Sequence, residues 1–326
     1  MNPIILCTGP IDSPLTEAVE PFGQVVVAPA DDERTLVELA GNAVAIVARG
    51  NSLVTRSVIR AAPHLKVIGR TGIGYDSIDI EAATESGIPV VVTPDATTYA
   101  VAEGVLAMML GLAKRLSELT TAVRLGDWNA RSRLAILDLE GATLGIIGLG
   151  RIGQRVAHLA TAFGMQIVAH DPYVNDSAIP KHARSRDLES VLRESDFLTL
   201  HCPLTAETTG LISYRNLELC KRGLLLVNLG RGPLVDLDAL YVALLSGQVG
   251  GAALDVFDPE PPPAGHPLLV HPRVVLTPHA LALTVQGRHR IFADLAQTMA
   301  LVLRSEHSLA NARASIVNYD DLLGLQ

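Results

Sequence analysis

Short apolar runs alternate with stretches of helical periodicity along almost the whole chain. In the N-terminal third, the runs that predict strands are PIILCTG, QVVVAP, AIVARG, LKVIGRTG and IPVVVT. Each is rich in valine, isoleucine or leucine, and most end at glycine or proline, which is typical of strands. Strands without polar residues are buried on both faces, as in a parallel sheet with helices on either side. This part of the chain therefore predicts an α/β unit.

Two segments of this region have helical patterns. The segment from Asp31 to Asn42 has apolar residues at helical spacing, acids in its first turn and a glycine near its end, so it predicts a short helix. A long helix is predicted from Thr98 to Glu118. The stretches LGDW and RSR that follow it predict a break in the regular structure.

The alternation of strands and helices then restarts. The strand candidates are ATLGIIGLG, QIVAHDP, FLTLHCP, LLLVNLGRG, GGAALDVFD and RVVLTPH, with helical patterns between most of them. A final helix is predicted from about Ala282 to Arg304. The chain therefore predicts an α/β fold with two doubly wound parallel-sheet domains. Because the final helix follows the last strand of the second domain, it could return to the first domain.

Composition excludes some classes of function. The 326 residues are long enough for two domains, and 48% of them are hydrophobic. Charged residues make up 18% and the net charge is −8, so no basic surface for nucleic acid is expected. No apolar run reaches the ~20 residues that span a membrane. The longest, Val101 to Ala113, contains Glu103 and predicts a buried helix.

The N-terminus and the cysteines indicate the compartment. The start MNPIILCTG has no basic region and no cleavage site, so we expect no signal peptide. Cys7, Cys202 and Cys220 are odd in number and far apart, so neither a disulfide framework nor a metal site is expected. These features predict a cytoplasmic protein without a bound metal.

The sequence GLGRIG follows a predicted strand and begins a predicted helix. In this context Gly148 permits a tight turn, Gly150 lets the backbone approach a pyrophosphate, and Gly153 lets helix and strand pack closely. The amides of Arg151 and Ile152 would then point from a helix N-terminus at the phosphates. The pattern predicts a dinucleotide-binding loop.

An acidic residue supports this interpretation. Asp171 ends the next strand, 18 residues after Gly153 (171 − 153 = 18), close to the ~20 expected for the acid that binds the ribose. A carboxylate there would repel a 2′-phosphate, and DPYVND contains no lysine or arginine, so NAD is favoured over NADP. The alternative is that the glycines only permit a turn and that Asp171 is a polar strand end.

Three polar residues follow strands of the second domain. Arg231 follows LLLVNLG, Glu260 follows ALDVF, and His279 follows RVVLTP. Singly, each could be an ordinary loop or core residue. Together they supply a guanidinium for a carboxylate, a base for a hydroxyl proton, and a carboxylate to hold that base. A dehydrogenase of hydroxy acids needs this combination beside its nicotinamide.

These motifs resemble those of the D-2-hydroxyacid dehydrogenase family, especially its phosphoglycerate dehydrogenase and glyoxylate/hydroxypyruvate reductase branches. The resemblance is clearest from about Ala45 to about Thr284. The motifs that carry it are GRTGIGYDSIDIEAA, TLGIIGLGRIG, LHCPLTAETTGLI, VNLGRGPLVD, GAALDVFDPEPP and TPHALALT. The resemblance implies NAD-dependent hydride transfer at C2 of a D-2-hydroxy acid or 2-oxo acid.

The resemblance also implies an architecture. It predicts a flavodoxin-like substrate domain, residues 1–98 and 285–326, and a Rossmann NAD-binding domain, residues 99–284, with the active site between them. Members are commonly homodimers. Trp128 matches an arm that often lies at the dimer interface, although a core tryptophan is the alternative.

Roles for individual residues follow from the motif match. Arg231 is similar to the substrate-orienting arginine, and Glu260 with His279 to the acid–histidine pair. Asp255 is similar to the residue that receives the nicotinamide amide. The match implies cofactor contacts for Cys202, Pro203, Leu229, Gly230, Arg231, His279 and Ala280, and substrate contacts for Arg49, Arg70, Ile73, Gly74 and Arg231.

The chain also departs from the family pattern. Leu281 and Leu283 stand where small residues are usual, and could either narrow the nicotinamide end or pack. Arg49 and Arg70 match arginines that face a substrate phosphate, but Leu53 stands near a position where a lysine is frequent. Two other functions stay open on this scaffold: an NADH-sensing corepressor, and a dehydrogenase of formate or phosphite.

Overall fold

The computed structural model describes residues 2–50, 52–175, 179–304 and 309–324. Contacts between residues divide the chain into two compact units. Unit 1 comprises residues 1–97 and 283–326, and unit 2 comprises residues 98–282.

Unit 1 contains a five-stranded parallel sheet. Its strands are β1 (Ile4–Cys7), β2 (Gln24–Val27), β3 (Ala43–Ala48), β4 (Val67–Arg70) and β5 (Val90–Val91). They lie in the order β2-β1-β3-β4-β5, and all neighbouring pairs are parallel. This is the flavodoxin-like doubly wound order.

Short helices connect these strands. They are α1 (Ser13–Val19), α2 (Glu33–Leu39), α3 (Arg56–Arg60) and α4 (Ile80–Glu85). The predicted helix at 31–42 is confirmed as α2, followed by a 3₁₀ turn over 40–42. Side-chain caps begin three of the four: Asp32, Thr55 and Asp79 each accept a backbone N–H of the first turn. Such caps typically contribute ~1 kcal/mol each.

Unit 2 begins with helices. They are α5 (Thr98–Ala113), α6 (Leu116–Arg124) and α7 (Ala130–Arg133). The prediction of one helix from Thr98 to Glu118 is wrong, because the chain turns at Arg115, which has a left-handed φ of 51°. The Arg115 guanidinium donates two hydrogen bonds to Glu118, at 2.7 and 2.8 Å, and this pair stabilises the start of α6.

A seven-stranded parallel sheet follows. Its strands are β6 (Thr143–Ile147), β7 (Gln166–His170), β8 (Ala183–Ser185), β9 (Phe197–Leu200), β10 (Leu224–Asn228), β11 (Val249–Leu254) and β12 (Val274–Leu276). The order is β12-β11-β10-β9-β6-β7-β8. Counted from β6, the sheet has the Rossmann order 3-2-1-4-5-6 with one further strand at its edge. The predicted α/β class with two doubly wound parallel sheets is confirmed.

Helices cover both faces of this sheet. They are α8 (Arg151–Ala162), α9 (Leu188–Glu194), α10 (Tyr214–Leu219) and α11 (Leu237–Ser246). Buried residues of α5 and α8 pack on one face, and those of the other three helices pack on the opposite face. Helix α5 is buried over most of its length, as the apolar run Val101 to Ala113 predicts. None of the helices in the described part of the chain is both long and apolar enough to cross a membrane.

The chain then returns to unit 1. Helix α12 (Val285–Leu303) and the short α13 (Tyr319–Leu323) belong to it, and α12 confirms the final helix predicted from the sequence. Gly69 of β4 lets α12 approach the sheet closely, because a Cβ at this position would overlap Sδ of Met299. The core on this face of the sheet therefore combines residues from both ends of the chain.

Candidate functional site

Polar side chains from three neighbouring strands gather at one edge of the unit 2 sheet. Arg231 follows β10, Glu260 follows β11, and His279 follows β12. These strands are adjacent and parallel, so all three side chains lie at the carboxyl edge, where α/β proteins bind ligands.

The histidine and the glutamate form a direct pair. Nδ1 of His279 lies 2.9 Å from Oε2 of Glu260. The other carboxylate oxygen of Glu260 accepts a hydrogen bond from the Phe257 amide at 3.0 Å. The glutamate side chain is 19% exposed and the histidine side chain 43%. The Phe257 amide therefore fixes the largely buried carboxylate of Glu260, while the imidazole of His279 extends toward solvent.

This geometry assigns the two ring nitrogens different roles. A carboxylate is an acceptor, so Nδ1 of His279 carries the proton of the 2.9 Å hydrogen bond. Nε2 then has a free lone pair in the neutral ring and can take a proton. Glu260 stabilises the imidazolium that results, which is the arrangement of a general base that becomes a general acid.

The loop that carries His279 has an unusual backbone. His279 has a left-handed φ of 51°, which non-glycine residues seldom adopt. This loop contacts the side chain of Asp255, which is buried. Asp255 accepts hydrogen bonds from the Thr277 hydroxyl at 2.6 Å, the Ala280 amide at 2.9 Å and the Leu281 amide at 3.2 Å. The structure therefore places Asp255 against this loop, and its contact with a nicotinamide amide stays a prediction.

A second buried polar residue holds the loop of Arg231. The Asn228 side chain accepts from the Gly230 amide at 3.0 Å and donates to the Arg231 carbonyl at 2.9 Å. The Arg231 guanidinium donates to the Gly230 carbonyl at 2.8 Å. The sequence reasoning missed both Asn228 and Thr277. The available signal was that each is a polar residue directly at the end of an apolar strand.

Another histidine of this sheet has a different character. His201 follows β9, and one of its ring nitrogens lies 3.0 Å from the Thr199 hydroxyl. Burial lowers the pKa of His201 to about 4. It is therefore neutral at physiological pH and serves as a structural hydrogen-bonding group.

The glycine loop has the geometry of a dinucleotide site. Gly148 has a φ of 93°, and a Cβ there would overlap the backbone of His201 and Cys202. A Cβ on Gly153 would overlap the Gly148 carbonyl, so this glycine permits the close packing of helix and strand. A Cβ on Gly150 would meet no atom within 4 Å. The space in front of the α8 N-terminus, with the amides of Arg151 and Ile152, therefore fits a pyrophosphate.

The acid at the end of β7 faces this loop. Asp171 accepts a hydrogen bond from the Leu149 amide at 2.7 Å through one carboxylate oxygen, and from the Tyr173 amide at 3.0 Å through the other. Each oxygen keeps a second lone pair, so the carboxylate can also accept from ribose hydroxyls.

Cys202 lies near this carboxylate. Burial is the main cause that raises the pKa of the Cys202 thiol to about 11, and the negative charge of Asp171 raises it further. Cys202 is therefore protonated at neutral pH.

The remaining cofactor candidates lie along the same edge. Leu229 is buried, Gly230 and Ala280 take part in the loop hydrogen bonds above, and the Pro203 carbonyl accepts from the Thr208 hydroxyl at 2.7 Å. Leu281 packs against the core beside α5. Packing was one of the two alternatives that the sequence left open for this residue, the other being that it narrows the nicotinamide end. Leu283 lies in unit 1 and is exposed.

The predicted substrate residues of unit 1 lie at the carboxyl edge of its own sheet. Arg70 donates to the carbonyls of Gly74 at 2.9 Å, Thr71 at 3.0 Å and Gly50 at 2.8 Å. It therefore binds the backbone of the loop that contains Ile73 and Gly74. The substrate contacts of this loop and of Arg70 stay predictions.

Arg49 is also engaged within unit 1. Its guanidinium donates to the Pro10 carbonyl and lies 5.5 Å from the centre of the Phe292 ring. Burial and the nearby charge of Arg288 lower the pKa of Arg49. The structure thus places both arginines in contacts with their own unit.

Comparisons with known proteins agree on one family. The model of the D-isomer specific 2-hydroxyacid dehydrogenase, NAD binding domain, matches residues 106–280. D-3-phosphoglycerate dehydrogenase of Methanocaldococcus jannaschii is 41% identical over 309 residues, which are 93% of this chain and 58% of that protein. Hydroxypyruvate reductase of Thermotoga maritima is 40% identical over 254 residues, which are 77% of this chain and 82% of that protein.

Solved structures give the same result. The crystal structure of a glyoxylate reductase from Paecilomyes thermophila aligns with a TM-score of 0.88 and 30% identity, covering 98% of this chain and 99% of that one. D-lactate dehydrogenase from Aquifex aeolicus, complexed with NAD and lactic acid, aligns with a TM-score of 0.86 and 29% identity, covering 96% and 98%. The chain spans only about half of several phosphoglycerate dehydrogenases that it matches, between 48 and 58% of their length.

Proposed function

Because this chain belongs to the D-2-hydroxyacid dehydrogenase family, we propose that it transfers a hydride between NAD and C2 of a D-2-hydroxy acid or 2-oxo acid. The observation that carries the proposal is the His279–Glu260 pair, with 2.9 Å between Nδ1 and Oε2. This pair lies at the same sheet edge as Arg231 and within a unit that has a complete dinucleotide loop.

His279 moves the proton in this proposal. In the oxidative direction, Nε2 takes the proton of the C2 hydroxyl, and in the reductive direction the imidazolium returns a proton to the C2 oxygen. Glu260 keeps Nδ1 protonated and stabilises the charged ring. NAD, when bound, accepts or supplies the hydride.

Arg231 acts on the substrate's charges. A guanidinium matches a carboxylate in shape and charge, so Arg231 would orient the acid group of the substrate. It would also stabilise the negative charge that grows on the C2 oxygen during reduction. Asn228 contributes by fixing the backbone on both sides of Gly230.

The glycine loop and Asp171 hold the cofactor. The amides of Arg151 and Ile152 at the α8 N-terminus would bind the pyrophosphate, and Asp171 would accept from the ribose. Since Asp171 carries a negative charge at this position, we expect NADH to be used in preference to NADPH.

Within this proposal we place small unphosphorylated acids first. Arg70 donates to three carbonyls and Arg49 to the Pro10 carbonyl, so each arginine has fewer of its five N–H donors left for a phosphate. Leu53 of the same unit is an exposed apolar side chain. The second candidate is a phosphorylated acid, as the names of the phosphoglycerate dehydrogenases among its relatives suggest.

A substrate screen tests the function. Oxidation of NADH and of NADPH is followed with glyoxylate, hydroxypyruvate, pyruvate and phosphohydroxypyruvate, and reduction of NAD with formate and phosphite. We expect turnover of at least one 2-oxo acid with NADH, with hydroxypyruvate or glyoxylate preferred over phosphohydroxypyruvate. If only formate or phosphite is turned over, the substrate is not a 2-hydroxy or 2-oxo acid and the chain is a dehydrogenase of formate or phosphite. Tight NADH binding without any turnover would instead support the corepressor-type sensor.

We also propose that the chain forms a homodimer. Six large apolar residues are exposed within the single segment 116–137: Leu116, Val123, Leu125, Trp128, Ile136 and Leu137. Trp128 is 65% exposed, so it is not a core residue of this chain, and exposed apolar patches commonly mark interfaces. Sedimentation equilibrium is expected to give the mass of two chains, and Trp128→Glu to shift the protein toward monomer. A wild-type monomer at micromolar concentration would contradict the proposal.

Location in the cytoplasm stays a prediction.

A further inference from the structure

We propose that Asp255 and Thr277 act together as a brace that sets the position of His279. The brace consists of the buried Asp255 carboxylate and the three donors that it binds: the Thr277 hydroxyl and the amides of Ala280 and Leu281. The two residues are positioning residues, because they act through the backbone of the loop. The inference rests on the proposed function of His279.

The residues that the Asp255 carboxylate binds lie on both sides of His279 along the chain. Thr277 precedes the histidine by two residues, and Ala280 and Leu281 follow it directly. One carboxylate therefore holds the chain on both sides of the catalytic candidate. Its shortest bond, 2.6 Å to the Thr277 hydroxyl, has the length of a strong charge-assisted hydrogen bond.

The backbone of His279 explains why such a brace is needed. With a φ of 51° the histidine lies in the left-handed region, which side chains with a Cβ disfavour. Strained conformations of this kind persist only where surrounding contacts determine them strongly. The bonds from Ala280 and Leu281 to Asp255 fix the chain immediately after the strained residue. They therefore direct the imidazole toward Glu260.

The brace is itself anchored in the sheet. The Asp255 amide donates to the Asn228 carbonyl at 3.0 Å, and the Thr277 amide donates to the Leu254 carbonyl at 3.0 Å. Asp255 is 3% exposed and Asn228 fully buried. The position of His279 is thus tied to the ends of β10, β11 and β12, which are the strands that also carry Arg231 and Glu260. A shared anchor keeps the three groups in register.

The test uses Thr277, because a cofactor contact is predicted for Asp255 but not for Thr277. Thr277→Val keeps the shape of the side chain and removes the hydroxyl. We expect kcat to fall about 10- to 100-fold, since a misplacement of ~1 Å can cost about that much. The Kd for NADH, from fluorescence titration, should stay within about 3-fold of wild type, because no cofactor contact is removed. Thr277→Ser restores a hydroxyl and should return kcat to within about 3-fold of wild type.

Thr143→Val is the matched control. Thr143 is a buried threonine of the same sheet, at the amino end of β6 and thus at the opposite edge. Its replacement should leave kcat unchanged. If Thr277→Val and Thr277→Ser have the same kcat as wild type, or if Thr277→Ser is as impaired as Thr277→Val, the hydroxyl does not position His279 and the inference is wrong.

Hydrogen exchange separates this inference from the proposed function. In wild type, the amides of Ala280 and Leu281 should exchange slowly, and in Thr277→Val about 5- to 10-fold faster, because the carboxylate loses one of the bonds that hold it. This measurement needs no substrate. Fast exchange of both amides in wild type would overturn the brace even if turnover is found. Slow exchange in a protein without any turnover would leave the brace intact and reject the proposed function instead.

Discussion

Replacing His279 by alanine is expected to lower kcat at least about 100-fold, within the range of general acid–base catalysis. The methyl group of alanine can neither take nor return the proton at the C2 oxygen. The carboxylate of Glu260 would then lose its hydrogen bond to Nδ1 of the imidazole. NADH binding should be largely kept, because the glycine loop and Asp171 are untouched. Steady-state turnover of the best substrate from the screen and a fluorescence titration of NADH measure the two quantities.

His64→Gln is a suitable control for this variant. His64 is an exposed histidine in the turn between α3 and β4, so its replacement should change neither kcat nor NADH binding. If His279→Ala turned over at the wild-type rate, His279 would not be the acid–base group. If the variant lost NADH binding as well as turnover, its role would lie with the cofactor.

Replacing Gly150 by valine is expected to weaken NADH binding by about 100-fold while the fold is kept. A side chain at Gly150 would meet no protein atom within 4 Å, and the residue's φ of −71° suits any residue. The space that the side chain fills is the one we assign to the pyrophosphate. Loss of two amide–phosphate hydrogen bonds, at about 1.5 kcal/mol each, amounts to about 3 kcal/mol, or about 100-fold in Kd.

Thermal unfolding distinguishes this effect from a loss of structure. Valine is a poorer N-cap than glycine, so we expect a loss of stability of no more than about 1 kcal/mol. Gly41→Val is the control, since a Cβ at Gly41 also meets no atom within 4 Å and the residue lies in unit 1. Wild-type affinity for NADH in Gly150→Val would show that the cofactor does not approach the backbone here.

Much of the fold and of the site follows from local patterns. Most strands of both sheets are short apolar runs, because the inner strands are buried on both faces and have no room for polar residues. The edge strand β8, with Arg184 and Ser185, does not follow this pattern. The glycine loop was predictable because each glycine answers a local steric demand, which the overlaps at Gly148 and Gly153 reproduce. The pairing of Glu260 with His279 was predictable only in combination, because parallel strands bring their carboxyl ends to one edge.

Other features depend on contacts that no local pattern encodes. The turn at Arg115 interrupts an otherwise continuous helical pattern, and the pair with Glu118 that stabilises it is a specific side-chain contact. The short helices α3 and α4 and the edge strand β8 have too few residues to show a period. Arg70 could equally face a ligand or a carbonyl, and it is the folding of the loops around it that brings the three carbonyls to its guanidinium. The same applies to Asp255, whose three donors come from the neighbouring strand's loop.

The close approach of α12 to Gly69 has a consequence for co-translational folding on the ribosome. The sheet of unit 1 is made from the first 97 residues, but Met299 and Leu295, which lie against Gly69 of β4, are synthesised some two hundred residues later. Unit 2 is contiguous and can complete its core while α12 is still missing. During synthesis, the part of this sheet face that α12 covers, including Gly69, therefore stays exposed until the C-terminal part of the chain is made, while α1 can already pack on the rest of the face.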